Sequence, residues 1–235
     1  MKPYLFLHIP RTAGTSIASV LPDGYSSVAE IRELISRGKK DDNEVSQHHA
    51  VLEKYPIIKN ELFKFTFVRN PWDRIVSVFE HHLASGMIYE DEMEDDGKIV
   101  SVTCKIHQFQ RFLIYLVDLW RTQTLHFKED GHYCPQTFFT HDNNFNQSVN
   151  YIGRFETMHK DLRKLNEICD FGIDLNDLPH KNCSKKRKKN YRDYYNAEID
   201  PVLKTHPHWQ QINRAPKDIV GALYHEEIEL YGYEF

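Results

Sequence analysis

Apolar residues near the start of the chain form a short run that ends in a turn. Residues 5–9 contain four apolar side chains, and the turn that follows carries Pro10 and Gly14. Two hydroxyl residues and a helix-compatible stretch come next, which predicts a buried strand, a tight loop and the start of a helix. In such a loop, backbone N–H groups converge on a phosphate. The opening loop (residues 9–16) is therefore a candidate phosphate site, although an ordinary strand-to-helix turn explains it equally well on its own.

A second strand–loop–helix motif begins at residue 62. Residues 62–68 alternate with period two and are rich in aromatic rings, which predicts a strand. Asn70 then reads as a helix N-cap and Pro71 as the first helical residue. Arg69 stands at the carboxyl end of the strand, where open α/β sheets bind ligands, and Ser77 lies two turns into the helix. An arginine and a hydroxyl in these places predict a second phosphate clamp.

This second motif also has a purely structural explanation, in which Arg69 and Arg74 pair with the carboxylates of Asp73 or Glu80. Two such motifs in one short chain favour a ligand with two separated anionic groups. The opening loop is not an ATP or GTP P-loop, which needs G-x-x-x-x-G-K-[ST], because its basic residue, Arg11, precedes the glycine.

Helical spacing recurs through the rest of the chain. It predicts helices over residues 28–37, 108–120, 159–169, 191–195 and 219–231, with a short strand over 151–155 and irregular structure over 135–150. Strand–loop–helix units separated by helices predict an α/β fold, a P-loop-like three-layer α/β/α sandwich with a central, mostly parallel sheet. The 235 residues suffice for one sizeable core, and we expect a single domain over residues 1–235.

Charge and composition limit the partners. A net charge of -4 supplies no overall basic field for nucleic acid or an anionic membrane, so an anion site must be local. No apolar stretch approaches the roughly 20 residues of a membrane span, and no signal-peptide pattern is present. The four cysteines show no C-x-x-C pair, which is typical of free thiols in a reducing compartment. We expect a cytoplasmic protein, unless the chain was cut from a longer anchored one.

The motifs together resemble those of a known family. Residues 9–16 resemble the 5′-phosphosulfate loop of sulfotransferases, P-K-T-[AG]-G-T-[ST], and residues 67–77 resemble their 3′-phosphate motif, R-x-P-x-x-R-x-x-S. Residues 151–156, residues 178–184 and the aromatic C-terminus are similar to later blocks of the carbohydrate sulfotransferase branch. The visible departure is Arg11, because lysine is commoner at that place and a guanidinium is wider and planar.

The resemblance implies 3′-phosphoadenosine 5′-phosphosulfate (PAPS) as the donor and a hydroxyl or amine, expected on a carbohydrate, as the acceptor. Arg69 and Ser77 would hold the 3′-phosphate, with Arg154 and Ser184 as further contacts. Arg11 would stabilise the charge that builds on the bridging oxygen as the sulfuryl group leaves. The 5′-phosphosulfate would be held by Thr12, Ala13, Gly14, Thr15 and Ser16.

The attacking hydroxyl needs a general base, and histidine is the usual choice near neutral pH. The resemblance favours His49, which precedes a small residue ahead of the second strand, and leaves His48 as the alternative. His81 and His82 follow Ser77 on the helix and are interpreted as part of a helix face. These histidines lack any H-E-x-x-H or Cys/His spacing, so we expect no metal site.

Several alternatives stay open. A P-loop kinase lacks support because the Gly-Lys-[Ser/Thr] triplet and a Mg²⁺-binding aspartate after a strand are missing from the sequence. A catalytically inactive nucleotide- or glycan-binding module on the same fold is the third hypothesis. The basic run 185–189 is either a solvated surface or a contact with nucleotide or an acidic acceptor, and Arg154 either reaches the nucleotide or pairs with Glu156. Residues 85–101 and 133–150 are the candidate acceptor regions.

Overall fold

A computed structural model of the chain describes residues 4–22, 62–86, 102–122, 131–142, 144–174, 190–200, 204, 209–210 and 214–235. The chain divides into two compact units, the first made of Met1–Arg69 and Phe127–Lys185, the second of Asn70–His126 and Lys186–Phe235. The predicted helix over 28–37, His48, His49, Ser184 and the basic run 185–189 lie outside the described residues. The expectation of a single domain stays a prediction.

The first unit is built on a parallel sheet. Its strands are β1 (Tyr4–Leu7), β2 (Phe63–Val68) and β3 (Tyr151–Arg154), and they lie side by side in the order β1-β2-β3. Both pairings are parallel, with β1 in register with β2 and β2 with β3. All four residues of β1 are buried, as in parallel strands covered on both faces. The α/β class, the parallel sheet and all three predicted strands are confirmed.

Helices account for most of the remaining described residues. In chain order, those within the described ranges are α1 (Gly14–Ala18), α2 (Pro71–Ala84), α3 (Val102–Arg121), α4 (Thr137–Thr140), α5 (Met158–Cys169), α6 (Arg192–Tyr195), α7 (Pro216–Leu223) and α8 (His225–Tyr231). No helix in these ranges is long and apolar enough to cross a membrane.

Two segments differ from their predictions. The helix expected over residues 219–231 is two helices, because Tyr224 leaves helical geometry (φ -121°, ψ 24°) and is at once the end of α7 and the start of α8. Residues 135–150, expected to be irregular, contain the one-turn helix α4 and an antiparallel bridge between His141 and Gln147. The other predicted helices with described residues are confirmed by α2, α3, α5 and α6, and α3 begins six residues before its predicted start.

Aromatic packing sets the core of the first unit. Phe6 stacks on Phe65 with ring centroids 5.2 Å apart, and α5 covers these rings with Leu162 and Leu165. Gly153 on β3 permits the strand pairing, because a Cβ atom there would lie 2.5 Å from the ring of Phe67. The sheet that carries the site is therefore held by large buried side chains.

In the second unit, α2 begins as its sequence predicts. The Asn70 side chain accepts hydrogen bonds from the N–H groups of Trp72 (3.1 Å) and Asp73 (3.4 Å), and Pro71 opens the helix. This cap satisfies donors that the first helical turn otherwise leaves unpaired. Phe79 of α2 then packs edge-on against Phe109 of α3, with ring centroids 5.3 Å apart.

Candidate functional site

The opening loop has a backbone conformation that few side chains adopt. Arg11 (φ 67°) and Ala13 (φ 68°) both lie in the left-handed region, and neither is a glycine. Each such residue costs on the order of 1–2 kcal/mol, and strain of this kind clusters at ligand sites. Thr12 between them is fully buried and donates its hydroxyl hydrogen to the carbonyl of Ile9 (2.8 Å). Left-handed residues at alternate positions are typical of a backbone concavity that binds anions.

Gly14 follows the strained residues at a place where no side chain fits. A Cβ atom on Gly14 would lie 1.9 Å from Cδ2 and 2.1 Å from Nε2 of His8. The imidazole of His8 therefore lies directly against the backbone of the opening loop. The same ring is stacked nearly parallel to that of Phe6, with centroids 6.1 Å apart and an interplanar angle of 9°. Glycine is thus required here by a close approach.

The surroundings of His8 are electropositive. Burial lowers the pKa of His8 from its ordinary value, and the charges of His132 and Arg11 lower it further. Burial acts because it disfavours the charged form, and neighbouring cations act by repulsion. The lowered pKa favours the neutral imidazole of His8, beside a loop that carries the guanidinium of Arg11.

Arg69 is held at both its side chain and its main chain. Its guanidinium Nη1 donates to the carbonyl oxygen of Arg11 (3.0 Å), and its Cζ lies 4.2 Å from the ring centre of Phe155. Its backbone N–H donates to Oε1 of Gln136 (2.7 Å), while Nε2 of Gln136 donates to its carbonyl (2.8 Å). Gln136 is fully buried. The two motifs predicted to hold separated anionic groups thus meet through Arg11 and Arg69.

The other predicted site residues have different settings. Ser16 is buried and Thr15 is exposed, both on α1. Ser77 is buried on α2 and belongs to the second unit. Arg154 is exposed at the end of β3. Among the described residues, no group of three or more histidines, cysteines and acidic residues is placed to hold a metal ion.

Asp161 of α5 joins that helix to β3 and to the turn that follows it. Its carboxylate accepts hydrogen bonds from the Tyr151 hydroxyl (2.7 Å), the Arg154 N–H (3.0 Å) and the Thr157 hydroxyl (2.6 Å). Burial alone would raise the pKa of Asp161, but the bonds from Thr157, Arg154 and Tyr151, with the charge of Lys160, outweigh burial and lower it. The carboxylate therefore fixes the turn that begins with the ring stacked on Arg69.

Sequence reasoning missed His8, His132, Gln136 and Phe155. His8 had a recognisable signal, because it directly follows β1 and so lies at the carboxyl edge of the sheet, where α/β proteins bind ligands. Gln136 and His132 had none, since they lie in or beside the segment expected to be irregular and approach the site only through the fold. Phe155 lies within residues 151–156, where Arg154 was the predicted contact.

The sequence matches a known family over nearly its whole length. The model of the sulfotransferase family matches residues 2–234, which include the opening loop, Arg69 and Ser77. No curated protein and no solved structure matches the chain.

Proposed function

The chain belongs to the sulfotransferase family, and from this membership we propose that it transfers the sulfuryl group of PAPS to an acceptor hydroxyl or amine. Family membership supports sulfuryl transfer between a sulfate donor and an acceptor as the class of reaction. The choice of PAPS rests chiefly on the contact between Arg69 Nη1 and the Arg11 carbonyl. This contact joins a loop suited to a 5′-phosphosulfate with an arginine suited to a 3′-phosphate, the two anionic groups of that nucleotide.

In this proposal the opening loop binds the 5′-phosphosulfate. Backbone N–H groups from Thr12 to Thr15 surround it, and Ser16 contributes its hydroxyl, because the Ser16 N–H donates to the carbonyl of Ala13 (2.9 Å). Arg11 stabilises the charge on the bridging oxygen. Arg69 binds the 3′-phosphate with its guanidinium oriented by Phe155. Ser77, Arg154 and Ser184 are assigned to the nucleotide by motif alone.

The reaction is an in-line displacement at sulfur. The acceptor oxygen or nitrogen forms a bond to sulfur while the bond from sulfur to the 5′-phosphate oxygen breaks, and the electron pair stays on that phosphate oxygen. The acceptor proton passes to a histidine, which we assign to His49 with His48 as the alternative. Positioning and electrostatics supply most of the rate acceleration, as in phosphoryl transfer.

We also propose a carbohydrate acceptor, because residues 151–156 and 178–184 resemble blocks of the carbohydrate branch. The cytoplasmic location stays a prediction from the sequence.

Calorimetry without magnesium tests the nucleotide assignment. We expect 3′-phosphoadenosine 5′-phosphate (PAP) to bind in preference to ATP and GTP. Arg69→Lys should weaken PAP binding by about tenfold, because lysine cannot donate the bidentate contact. Arg163→Lys, at an exposed position of α5, is the matched control and should leave the Kd unchanged. Preferential binding of ATP or GTP would contradict the proposal and favour the kinase.

Transfer itself is tested with labelled PAPS and a panel of glycans and small alcohols. Label transfer that disappears in His49→Ala while PAP binding persists supports the enzyme and its base. Transfer that survives in His49→Ala but not in His48→Ala would move the base to His48. Binding of PAP without transfer to any acceptor would identify an inactive nucleotide-binding module instead.

A further inference from the structure

His8 lies where the proposed reaction develops charge. Leu7 of β1 is in register with Thr66 of the parallel strand β2, so His8 and Arg69, which follow these strands, emerge at the same edge of the sheet. Parallel strands place their ligands at that edge. His8 also lies against Gly14, in the middle of the loop assigned to the 5′-phosphosulfate.

The groups that face His8 make it sensitive to a bound anion. Arg11 approaches from the opening loop and His132 from the segment before α4, and both disfavour a proton on the imidazole. Phe6 and Gly14 are uncharged neighbours from β1 and α1. An anion in the loop would offset the repulsion from Arg11 and His132, because an opposite charge within a few ångströms favours the charged form of a histidine.

We propose that His8 takes up a proton when the 5′ group of the nucleotide binds, and that the resulting imidazolium donates a hydrogen bond to the phosphate oxygen that leaves sulfur. This inference rests on the proposed function. The sulfur–oxygen bond breaks with its electron pair left on the phosphate oxygen, the acceptor proton goes to the separate base, and His8 keeps its own proton throughout. His8 thus adds a titratable donor to a loop whose basic residue, Arg11, is always charged.

Calorimetry of PAP binding in buffers of different ionisation enthalpy, from pH 6 to 8, measures the proton uptake. We expect the wild-type chain to take up more protons per PAP than His8→Gln, by up to one. The protonation of PAP itself is common to both and cancels. The Kd of the wild type should rise with pH by up to about tenfold per unit, and that of His8→Gln less steeply. His159→Gln, exposed on α5, is the control and should behave as the wild type.

The outcomes separate the two proposals. Absence of PAP binding to the wild type would overturn the proposed function. PAP binding with equal proton uptake in the wild type and His8→Gln would overturn only the role of His8.

If His8→Gln does not fold, histidine ring NMR of the ¹⁵N-labelled wild-type chain decides the question. The pKa of the His8 imidazole should increase by about one unit or more when PAP is added, and an unchanged pKa would contradict the inference.

Discussion

At the scale of single residues, the site depends on contacts that admit little variation. The left-handed conformations of Arg11 and Ala13 persist because Thr12 is buried and bonded to Ile9. Arg69 is oriented through its main chain by the buried amide of Gln136, whose two hydrogen bonds leave neither the N–H nor the carbonyl unsatisfied. These contacts fix the loop and the arginine without a ligand, and such preorganisation would lower the cost of binding the proposed nucleotide.

Gly14→Ala tests this arrangement. The added methyl group collides with three ring atoms of His8, so the imidazole or the loop must move. We expect the free energy of unfolding to fall by about 1–3 kcal/mol and PAP binding to weaken, as measured by urea denaturation and calorimetry. Gly221→Ala is the control, because among the described residues a Cβ there meets Trp72 at an ordinary contact distance of 3.7 Å, and alanine favours the helix. Equal effects of both substitutions would show that the His8 ring moves aside without loss of stability, and would contradict this prediction.

At the scale of elements, the three parallel strands bring residues from distant parts of the chain to one edge. β3 and α5 are connected by Asp161, which accepts three hydrogen bonds from the strand and the following turn. The same turn begins with Phe155, the ring that stacks on Arg69. The hydrogen bonds of Asp161 therefore influence the orientation of Arg69, the residue proposed to bind the 3′-phosphate.

The carboxylate of Asp161 predicts a specific acid sensitivity. Its folded-state pKa is lowered, so its contribution to stability is fully present above the ordinary value of 3.8 and is lost as the pH falls from there through the folded pKa. Asp161→Asn should remove that part of the loss, giving a shallower decline of stability in urea denaturation between about pH 5 and 2. Glu167→Gln on the exposed face of α5 serves as the control. A decline as steep as that of the wild type would contradict this role for Asp161.

At the scale of the whole molecule, the proposed anion site is a local feature. The chain carries a net charge of -4, yet Arg11, Arg69 and two histidines gather in the first unit. Of the two residues proposed to bind the 3′-phosphate, Arg69 belongs to the first unit and Ser77 to the second. Whether the two units form one domain depends on whether they unfold together.

Ligand-linked unfolding answers it. The three tryptophans, Trp72, Trp120 and Trp209, all belong to the second unit, so their fluorescence reports its unfolding. If the chain is one cooperative domain, PAP at a hundred times its Kd should stabilise this transition by about 2.7 kcal/mol, coincident with the far-ultraviolet circular dichroism transition. Adenosine 5′-phosphate at the same concentration should stabilise it less. A fluorescence transition that PAP does not shift would mean that the units unfold separately.

Local patterns were enough for the elements and for the nucleotide motifs. The period-two alternation of β2, the Asn70–Pro71 helix start and the spacing of α5 depend on neighbours in the sequence, so they were predicted nearly to their observed bounds. The spacing of α3 predicted its C-terminal end but not its start, which lies six residues earlier than expected. The break at Tyr224 was not predicted, because helical spacing continues across it.

By itself, the sequence determined the α/β class, the family and the residue types that suit two anionic groups, because all of these are written in short contiguous motifs. Only the tertiary structure decided that Arg69 bonds to the carbonyl of Arg11, that Gln136 and Phe155 orient it, and that His8 lies against Gly14. The contacts of Arg69 join residues far apart in the chain, and that of His8 with Gly14 depends on how the loop turns after β1. Their geometry follows from strand register and aromatic packing, which no local pattern specifies.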